Sequence, residues 1–173
     1  MRMSEQIVSA EAALSEIRRE ARIVLERFLD PALSTGRMAM ARALQPLPGD
    51  YERVFLADVA EHAREGYAAL WDNMPVWPVR PEQTELAIAV AYSEDFAENS
   101  ERAQAFPGGY RSVAHHLRPG VIWVCWEFIA PGRDAGVSFD GLVRIDGRWA
   151  WFPKPWKVLP STPKASPLSH FSE

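Results

Sequence analysis

The chain has 173 residues, of which 47% are hydrophobic and 24% are charged, and its formal net charge is −4. This composition is typical of a globular protein and excludes a disordered one. The acidic balance argues against nucleic-acid binding, and no apolar run approaches the length of a membrane span. We therefore expect a soluble, cytoplasmic protein with no signal peptide and no membrane contact. The single cysteine, Cys125, excludes an intramolecular disulfide and a cysteine-based zinc site.

The N-terminal half follows helical spacing. A stripe of apolar residues predicts an amphipathic helix over residues 10–29. The members of this stripe are Leu14, Ile17, Ala21, Val24, Leu25 and Phe28. A shorter helix is expected over residues 36–44, and Asp50 is a suitable N-cap for a third helix over 50–72. The third helix carries His62 on its apolar stripe. It also contains Gly66, which disfavours a helix by up to ~1 kcal/mol relative to alanine, so we expect another element to approach closely there.

Strand patterns dominate the C-terminal half. Four β-prone runs are separated by turn signals, and Asp146-Gly147 is the two-residue hairpin signal between the last two. The strands are expected over residues 84–92, 121–130, 137–145 and 148–152. A further strand is expected to lie hidden near residues 75–80, in a segment rich in proline. The predicted fold class is α+β, with N-terminal amphipathic helices packed on a curved antiparallel sheet of four to six strands.

The length matches a single domain of ordinary size. We assign this domain to residues 1–159. The remaining residues, 160–173, are polar and rich in proline, and we expect them to form a flexible tail.

The hairpin signal also predicts which residues share a face of the sheet. A two-residue loop pairs Ile145 with Arg148, and continues to Leu142 and its partner Trp151. If the preceding hairpin closes without a bulge, Glu127 lies opposite Asp140; a bulge would shift that register. The first face is then wholly apolar: Ile122, Val124, Trp126, Phe128, Phe139, Val143, Ile145, Ala150 and Phe152. The second face is mixed: Trp123, Cys125, Glu127, Asp140, Leu142, Arg144, Trp149 and Trp151.

Three tryptophans on a mixed face predict that this face is covered, lines a pocket or forms a partner interface. The candidate binding residues are Trp123, Arg144, Trp149, Trp151 and His62. Glu127 and Asp140 are the candidate catalytic residues, because two neighbouring carboxylates raise the pKa of one of them and create an acid/base site. The alternative is that Arg144 and solvent neutralise both. No metal site and no cofactor are expected, since the adjacent residues His115 and His116 point in different directions.

The stretch Leu142 to Phe152 reads Leu-Val-Arg-Ile-Asp-Gly-Arg-Trp-Ala-Trp-Phe. It resembles the last hairpin of the NTF2-like (SnoaL-type, cystatin-like) α+β superfamily. The resemblance implies a curved sheet that wraps around helices. It also implies a choice of functions, since the superfamily includes isomerases, dehydratases, transport factors and non-catalytic pocket proteins. The catalytic residue sets of its enzymes do not map onto matching motifs here.

Two functions from different classes fit the sequence. The first is a soluble, non-catalytic binding or interaction protein. It would use the tryptophan-rich face, or a pocket between sheet and helices, for a small apolar ligand or a protein partner, which includes a second copy in a homodimer. The alternative is an NTF2-like enzyme of isomerase or hydrolase type, in which Glu127 or Asp140 is the general base and His62 or Arg144 assists.

Overall fold

The computed structural model describes residues 2–74 and 79–160. The longer elements are α1 (Arg2–Glu26), α4 (Ala57–Asp72), β1 (Glu85–Tyr92), β2 (Ile122–Ile129), β3 (Val137–Ile145) and β4 (Arg148–Trp151). The shorter helices are α2 (Arg37–Arg42), α3 (Tyr51–Val54), α5 (Ser93–Glu98), α6 (Gly109–Val113) and α7 (Pro155–Val158). The expected tail from residue 161 onward, and most of the segment where a further strand was expected, lie outside the described residues. Within the described ranges, no helix is both long enough and apolar enough to cross a membrane.

The strands form one antiparallel sheet in the order β1-β2-β3-β4, and the sheet is curved. The fold is therefore α+β, as predicted. The β3–β4 hairpin has the predicted register: Ile145 pairs with Arg148, Arg144 with Trp149, and Leu142 with Trp151. Asp146 and Gly147 have φ angles of 49° and 79°, the backbone form that this turn requires.

The third helix is interrupted where the sequence predicted a continuous one. Phe55 and Leu56 are extended, each with ψ of 152°. Phe55 forms a β-bridge with Leu117, and the Leu56 N–H donates to the His116 carbonyl at 2.9 Å. The face of α4 that is buried carries Val59, Ala60, Ala63, Tyr67 and Trp71. His62 is exposed on α4, so its expected place on the buried stripe was wrong.

A β-bulge in β3 changes the predicted pairing with β2. Val124 pairs with Leu142, but its neighbour Cys125 pairs with Asp140, which leaves Gly141 as the extra residue. Gly141 has φ of 93°, and a Cβ at this position would overlap the carbonyl group of Phe152. Only glycine fits such a position without strain. On the turn side of the bulge, Phe128 pairs with Val137 and Glu127 with Ser138, because the connection between β2 and β3 is two residues longer than predicted. The prediction that Glu127 lies opposite Asp140 was therefore wrong.

The bulge divides the predicted mixed face between the two sides of the sheet. Two residues that pair directly have their side chains on the same face of the sheet. Side chains alternate along a strand, so one inserted residue moves each later side chain of that strand to the opposite face. The side that we call the Cys125 face carries Ala87, Ala89, Ala91, Trp123, Cys125, Glu127, Asp140, Val143, Ile145 and Ala150. The side that we call the Trp126 face carries Val90, Val124, Trp126, Phe139, Leu142, Arg144, Trp149 and Trp151.

Helices cover both faces. On the Trp126 face, α1 packs against β1, and the Tyr92 hydroxyl donates to the Ala10 carbonyl at 3.0 Å. On the Cys125 face, α6 meets the sheet; the Tyr110 ring lies 5.6 Å from that of Trp123. The Trp71 ring of α4 lies 5.7 Å from that of Trp151. Trp123 and Trp151 are 0% and 5% exposed. Of the three alternatives expected for the tryptophans, the structure therefore has these two covered, while Trp149 is half-buried.

The short helix α7 explains the glycine in α4. A Cβ on Gly66 would lie 2.5 Å from Cγ1 of Val158, and one on Gly109 would overlap the Trp156 indole. The expectation that another element approaches Gly66 closely is confirmed. Both glycines let α7 pack directly on the backbone of α4 and α6.

Candidate functional site

An open cleft of about 380 Å³ lies on the Cys125 face, at the end of the sheet where β3 begins. Its floor is formed by Ala87, Ala89 and Cys125. Its wall is the segment 105–107, and Glu127 stands among the lining residues beside Ser138. We call this feature the Cys125 cleft. It combines an apolar floor with a small number of polar groups, as small-molecule sites do.

The alternation of residue sizes in β1 creates the space. The strand reads Glu-Leu-Ala-Ile-Ala-Val-Ala-Tyr, so period-two geometry sends the alanines to one face and the larger side chains to the other. Methyl groups on the Cys125 face leave room that a larger side chain would fill. The wall is held in place by Phe106, whose ring lies 5.0 Å from that of Phe96 and 5.4 Å from that of Tyr110.

Glu127 is positioned by the connection between β2 and β3. Its Oε1 accepts a hydrogen bond from the Gly136 N–H at 2.6 Å. A side chain on Gly136 would overlap the carbonyl group of Phe128, so the loop passes close to the strand only because residue 136 is glycine. The carboxylate is half-buried and held at the cleft.

Asp140 lies beside the floor of the cleft, across the strands from Cys125, and does not line the cleft. It is 4% exposed, and its Oδ1 accepts from the Tyr110 hydroxyl at 2.7 Å and from the Lys154 N–H at 2.9 Å. Burial raises the pKa of Asp140, and these two hydrogen bonds oppose that rise. Burial also raises the pKa of Tyr110 well above its usual value, and the nearby carboxylate of Asp140 adds to the effect.

The thiol of Cys125 is not activated as a nucleophile. Burial raises the pKa of Cys125 to about 12, and the charge of Asp140 contributes to the same direction. The sulfur lies 3.5 Å from the Ala105 carbonyl oxygen, to which the S–H donates. A nucleophilic cysteine needs a lowered pKa and electropositive surroundings, so Cys125 serves as an apolar part of the floor.

The structure separates the residues that the sequence had grouped. Glu127 lines the cleft, and Asp140 is buried beside its floor. Trp123 is deeper in the core, where its Nε1 donates to the Ser93 hydroxyl at 3.0 Å. Arg144 lies on the Trp126 face and forms an ion pair with Glu20 of α1. Trp149 and Trp151 share that face, and His62 is exposed on α4.

Sequence reasoning missed the parts that shape the cleft. The alanines of β1 carried a usable signal, because their alternation predicts one face of small side chains. The wall at Phe106 and Pro107 lies between the predicted strands 84–92 and 121–130, where the sequence predicted no helix or strand. Tyr110 and Lys154 carried no signal, because they meet Asp140 only through the tertiary fold.

In the described part of the chain, no group of three or more histidine, cysteine, aspartate or glutamate residues is placed to hold a metal ion. Comparison of the chain with protein-family models, with curated proteins and with solved structures found no match. The functional argument therefore rests on the geometry and chemistry of the site.

Proposed function

We propose that this protein binds a small apolar molecule in the Cys125 cleft and acts as a non-catalytic binding protein. The cleft itself carries the proposal: about 380 Å³ of open space over a floor of methyl groups and a protonated thiol. Pockets for small molecules commonly enclose about 300 to 1,000 Å³ and are mostly apolar. Elsewhere helices bury the middle of the same sheet face, where Trp123 is fully covered.

The state of the nearby titratable groups supports binding rather than catalysis. A general base must come within hydrogen-bond reach of the proton that it takes. Asp140 is covered by Tyr110 and by the backbone of Lys154, and Cys125 holds its proton. Glu127 is the carboxylate that faces the cleft, and one of its oxygens is already bonded to Gly136.

The proposal is tested with N-phenyl-1-naphthylamine, a neutral dye whose fluorescence rises in apolar surroundings. We expect saturable binding to one site per chain. The variant Ala89→Trp fills the cleft with an indole and should weaken binding by at least about tenfold, a loss of ~1.4 kcal/mol. Ala68→Trp is the matched control, because Ala68 is exposed on α4. Equal binding by both variants, or no saturable binding at all, would refute a site in this cleft.

One observation favours a second candidate, an enzyme that uses a carboxylate as general base. A buried carboxyl group with a raised pKa beside a tyrosine hydroxyl is a common arrangement at acid/base sites. In this reading the substrate reaches Asp140 past Cys125. Mass spectrometry of a bound ligand after incubation separates the two functions. Turnover that is lost in Asp140→Asn, with binding retained, supports the enzyme; an unchanged ligand supports the binding protein.

We also propose a relationship to the NTF2-like superfamily. Its support is the terminal hairpin, which forms β3 and β4 with the predicted pairing. The order of helices first and antiparallel strands later supports it as well. Such a relationship is compatible with either candidate function.

A further inference from the structure

We infer that the ligand of the Cys125 cleft is an organic cation, an amine or ammonium group on a small apolar body, with Glu127 as its counter-ion. This inference rests on the proposed function, because it names the chemical class of molecule that the same cleft takes. It follows from three features of Glu127: the charge that it brings, the absence of a cationic partner for that charge among the described residues, and the fixed position of its carboxylate.

Among the described residues that line the cleft, the charged side chain is acidic. Of the described side chains that line it, Glu127 is the one carboxylate, and none is a lysine, an arginine or a histidine. The remainder are aliphatic, aromatic, hydroxyl or thiol groups, and the Cys125 thiol keeps its proton. A carboxylate beside apolar surface attracts a cation more strongly than a solvated one, because the local dielectric constant is lower than in water. The same charge disfavours an anion.

Glu127 forms no ion pair within the described ranges, whereas two buried carboxylates elsewhere do. Asp50 pairs with Arg148, and Asp95 pairs with Arg102 at 3.2 Å. Asp140 also lacks an ion-pair partner in those ranges, but it does not line the cleft. Carboxylates removed from water are usually paired, since their desolvation is otherwise uncompensated. Among the residues that line the cleft, the carboxylate of Glu127 is thus the acceptor to which a bound cation would supply the missing charge.

The carboxylate is also held before any ligand binds. The Gly136 N–H fixes Oε1 at 2.6 Å, and the residue is paired with Ala87 on one side and Ser138 on the other. Oε2 does not take part in the bond to Gly136 and is the atom to which an ammonium group would donate. A charge-assisted hydrogen bond to a fixed acceptor is stronger than a neutral one and loses little side-chain entropy.

The apolar floor determines the other half of the ligand. Ala87, Ala89 and Cys125 present methyl and sulfur groups over the length of the cleft. A hydrated inorganic cation would find no further oxygen ligands on that floor and needs about six of them. An organic cation satisfies both halves, since its apolar body covers the floor and its charged end meets Glu127.

Three probes of the same length and shape test the inference: 4-phenylbutylamine, 4-phenylbutan-1-ol and 4-phenylbutyrate. Their affinities are measured by calorimetry at neutral pH and low salt, and by displacement of N-phenyl-1-naphthylamine. We expect the amine to bind about tenfold tighter than the alcohol, and the carboxylate to bind more weakly than the alcohol. The preference for the amine should fall as salt is added, because the ion pair is partly screened.

The variant Glu127→Gln assigns the effect to one residue. Its amide oxygen can still accept from Gly136, so the loop and the shape of the cleft are retained. We expect the variant to bind the alcohol within about twofold of wild type and to lose the preference for the amine. Glu65→Gln, a change of the same charge at an exposed position of α4, should leave the preference intact.

The outcomes separate this inference from the function on which it rests. If the alcohol displaces the dye but the amine has no advantage, or if Glu127→Gln keeps that advantage, the cationic ligand is refuted and the apolar site stands. Tightest binding of 4-phenylbutyrate refutes it in the same way. If neither the dye nor any of the three probes binds, the proposed function itself is refuted.

Discussion

The hydroxyl of Tyr110 donates to Oδ1 of Asp140 at 2.7 Å, and both side chains are buried. The bond joins α6 to β3, two elements that are far apart in the sequence. It brings together a carboxyl group whose pKa is raised by burial and a phenol whose pKa is raised by burial and by that carboxyl group. The pair is therefore a sensitive point for both stability and pH dependence.

Replacing Asp140 by asparagine should stabilise the protein at neutral pH. Because the pKa of Asp140 is higher in the folded state than in the unfolded state, its contribution to stability is greatest at low pH. That contribution is lost as the pH rises through the raised pKa. Asparagine keeps an acceptor for Tyr110 and Lys154 without the buried charge.

Urea unfolding of both proteins between about pH 4 and pH 8 checks this prediction. The advantage of Asp140→Asn should shrink as the pH falls. Asp134→Asn, at an exposed position, should show no such trend. A wild-type protein that gains stability over the variant as the pH rises would contradict the prediction.

Tyr110→Phe should raise the pKa of Asp140 further. The hydrogen bond from Tyr110 lowers that pKa, and the variant leaves the carboxyl group with the Lys154 N–H. We expect a loss of about 1 to 2 kcal/mol in the free energy of unfolding, because one buried hydrogen bond is removed. NMR titration of the Asp140 carboxyl carbon measures the pKa directly.

Tyr67→Phe is the control for that variant. The Tyr67 hydroxyl donates to the Pro153 carbonyl at 3.1 Å and not to Asp140. It should destabilise the protein by a similar amount and leave the pKa of Asp140 below the value found in Tyr110→Phe. Equal pKa values in the two variants would show that the Tyr110 bond does not act on Asp140.

Gly141→Ala should be among the more destabilising single changes in the sheet. The residue has φ of 93°, and a Cβ would overlap the backbone carbonyl of Phe152. We expect a loss of more than about 2 kcal/mol, since backbone strain and steric overlap add. Gly147→Ala provides the comparison, because its φ is 79° with open space around the position. Thermal unfolding should show that Gly147→Ala lowers the free energy of unfolding by about 1 kcal/mol.

Gly66→Ala should destabilise the protein, although alanine is the better helix former by up to ~1 kcal/mol. The added methyl group would lie 2.5 Å from Cγ1 of Val158. In the double variant with Val158→Ala, the overlap is removed and the helical preference of alanine remains. A double-mutant cycle should therefore show a favourable coupling of about 1 kcal/mol or more. Additive effects would mean that α7 moves away freely.

Local patterns were sufficient for much of the fold. The hairpin of β3 and β4 follows from Asp146-Gly147 because a two-residue turn sets the pairing of its own flanks. Strand β1 and most of helix α1 follow from hydrophobic periodicity, which is likewise a property of consecutive residues. The helix was predicted over residues 10–29, but α1 begins earlier, at Arg2, and ends at Glu26. The α+β class and the first and last residues of β3 were predicted from such local patterns without tertiary information.

Predictions from local patterns were wrong where the backbone forms hydrogen bonds with segments that are distant in the sequence. Leu56 leaves the helical path because its N–H bonds to His116, which comes from the segment before β2. The bulge at Gly141 arises in the pairing of β2 with β3, and the signal for it is a single glycine. One inserted residue exchanges the faces of everything beyond it, so the predicted grouping of Arg144 with Glu127 was lost.

The amino-acid sequence by itself determined most of α1, the hairpin of β3 and β4, and the small side chains of β1, because each depends on neighbours along the chain. The tertiary structure alone decided where the site lies. Phe106 and Pro107 reach the sheet from another part of the chain to build the wall of the cleft. The bulge places Arg144 on the opposite face from Glu127, which lies at the cleft without a cationic partner among the described residues. These relationships depend on packing between distant segments, which no local pattern encodes.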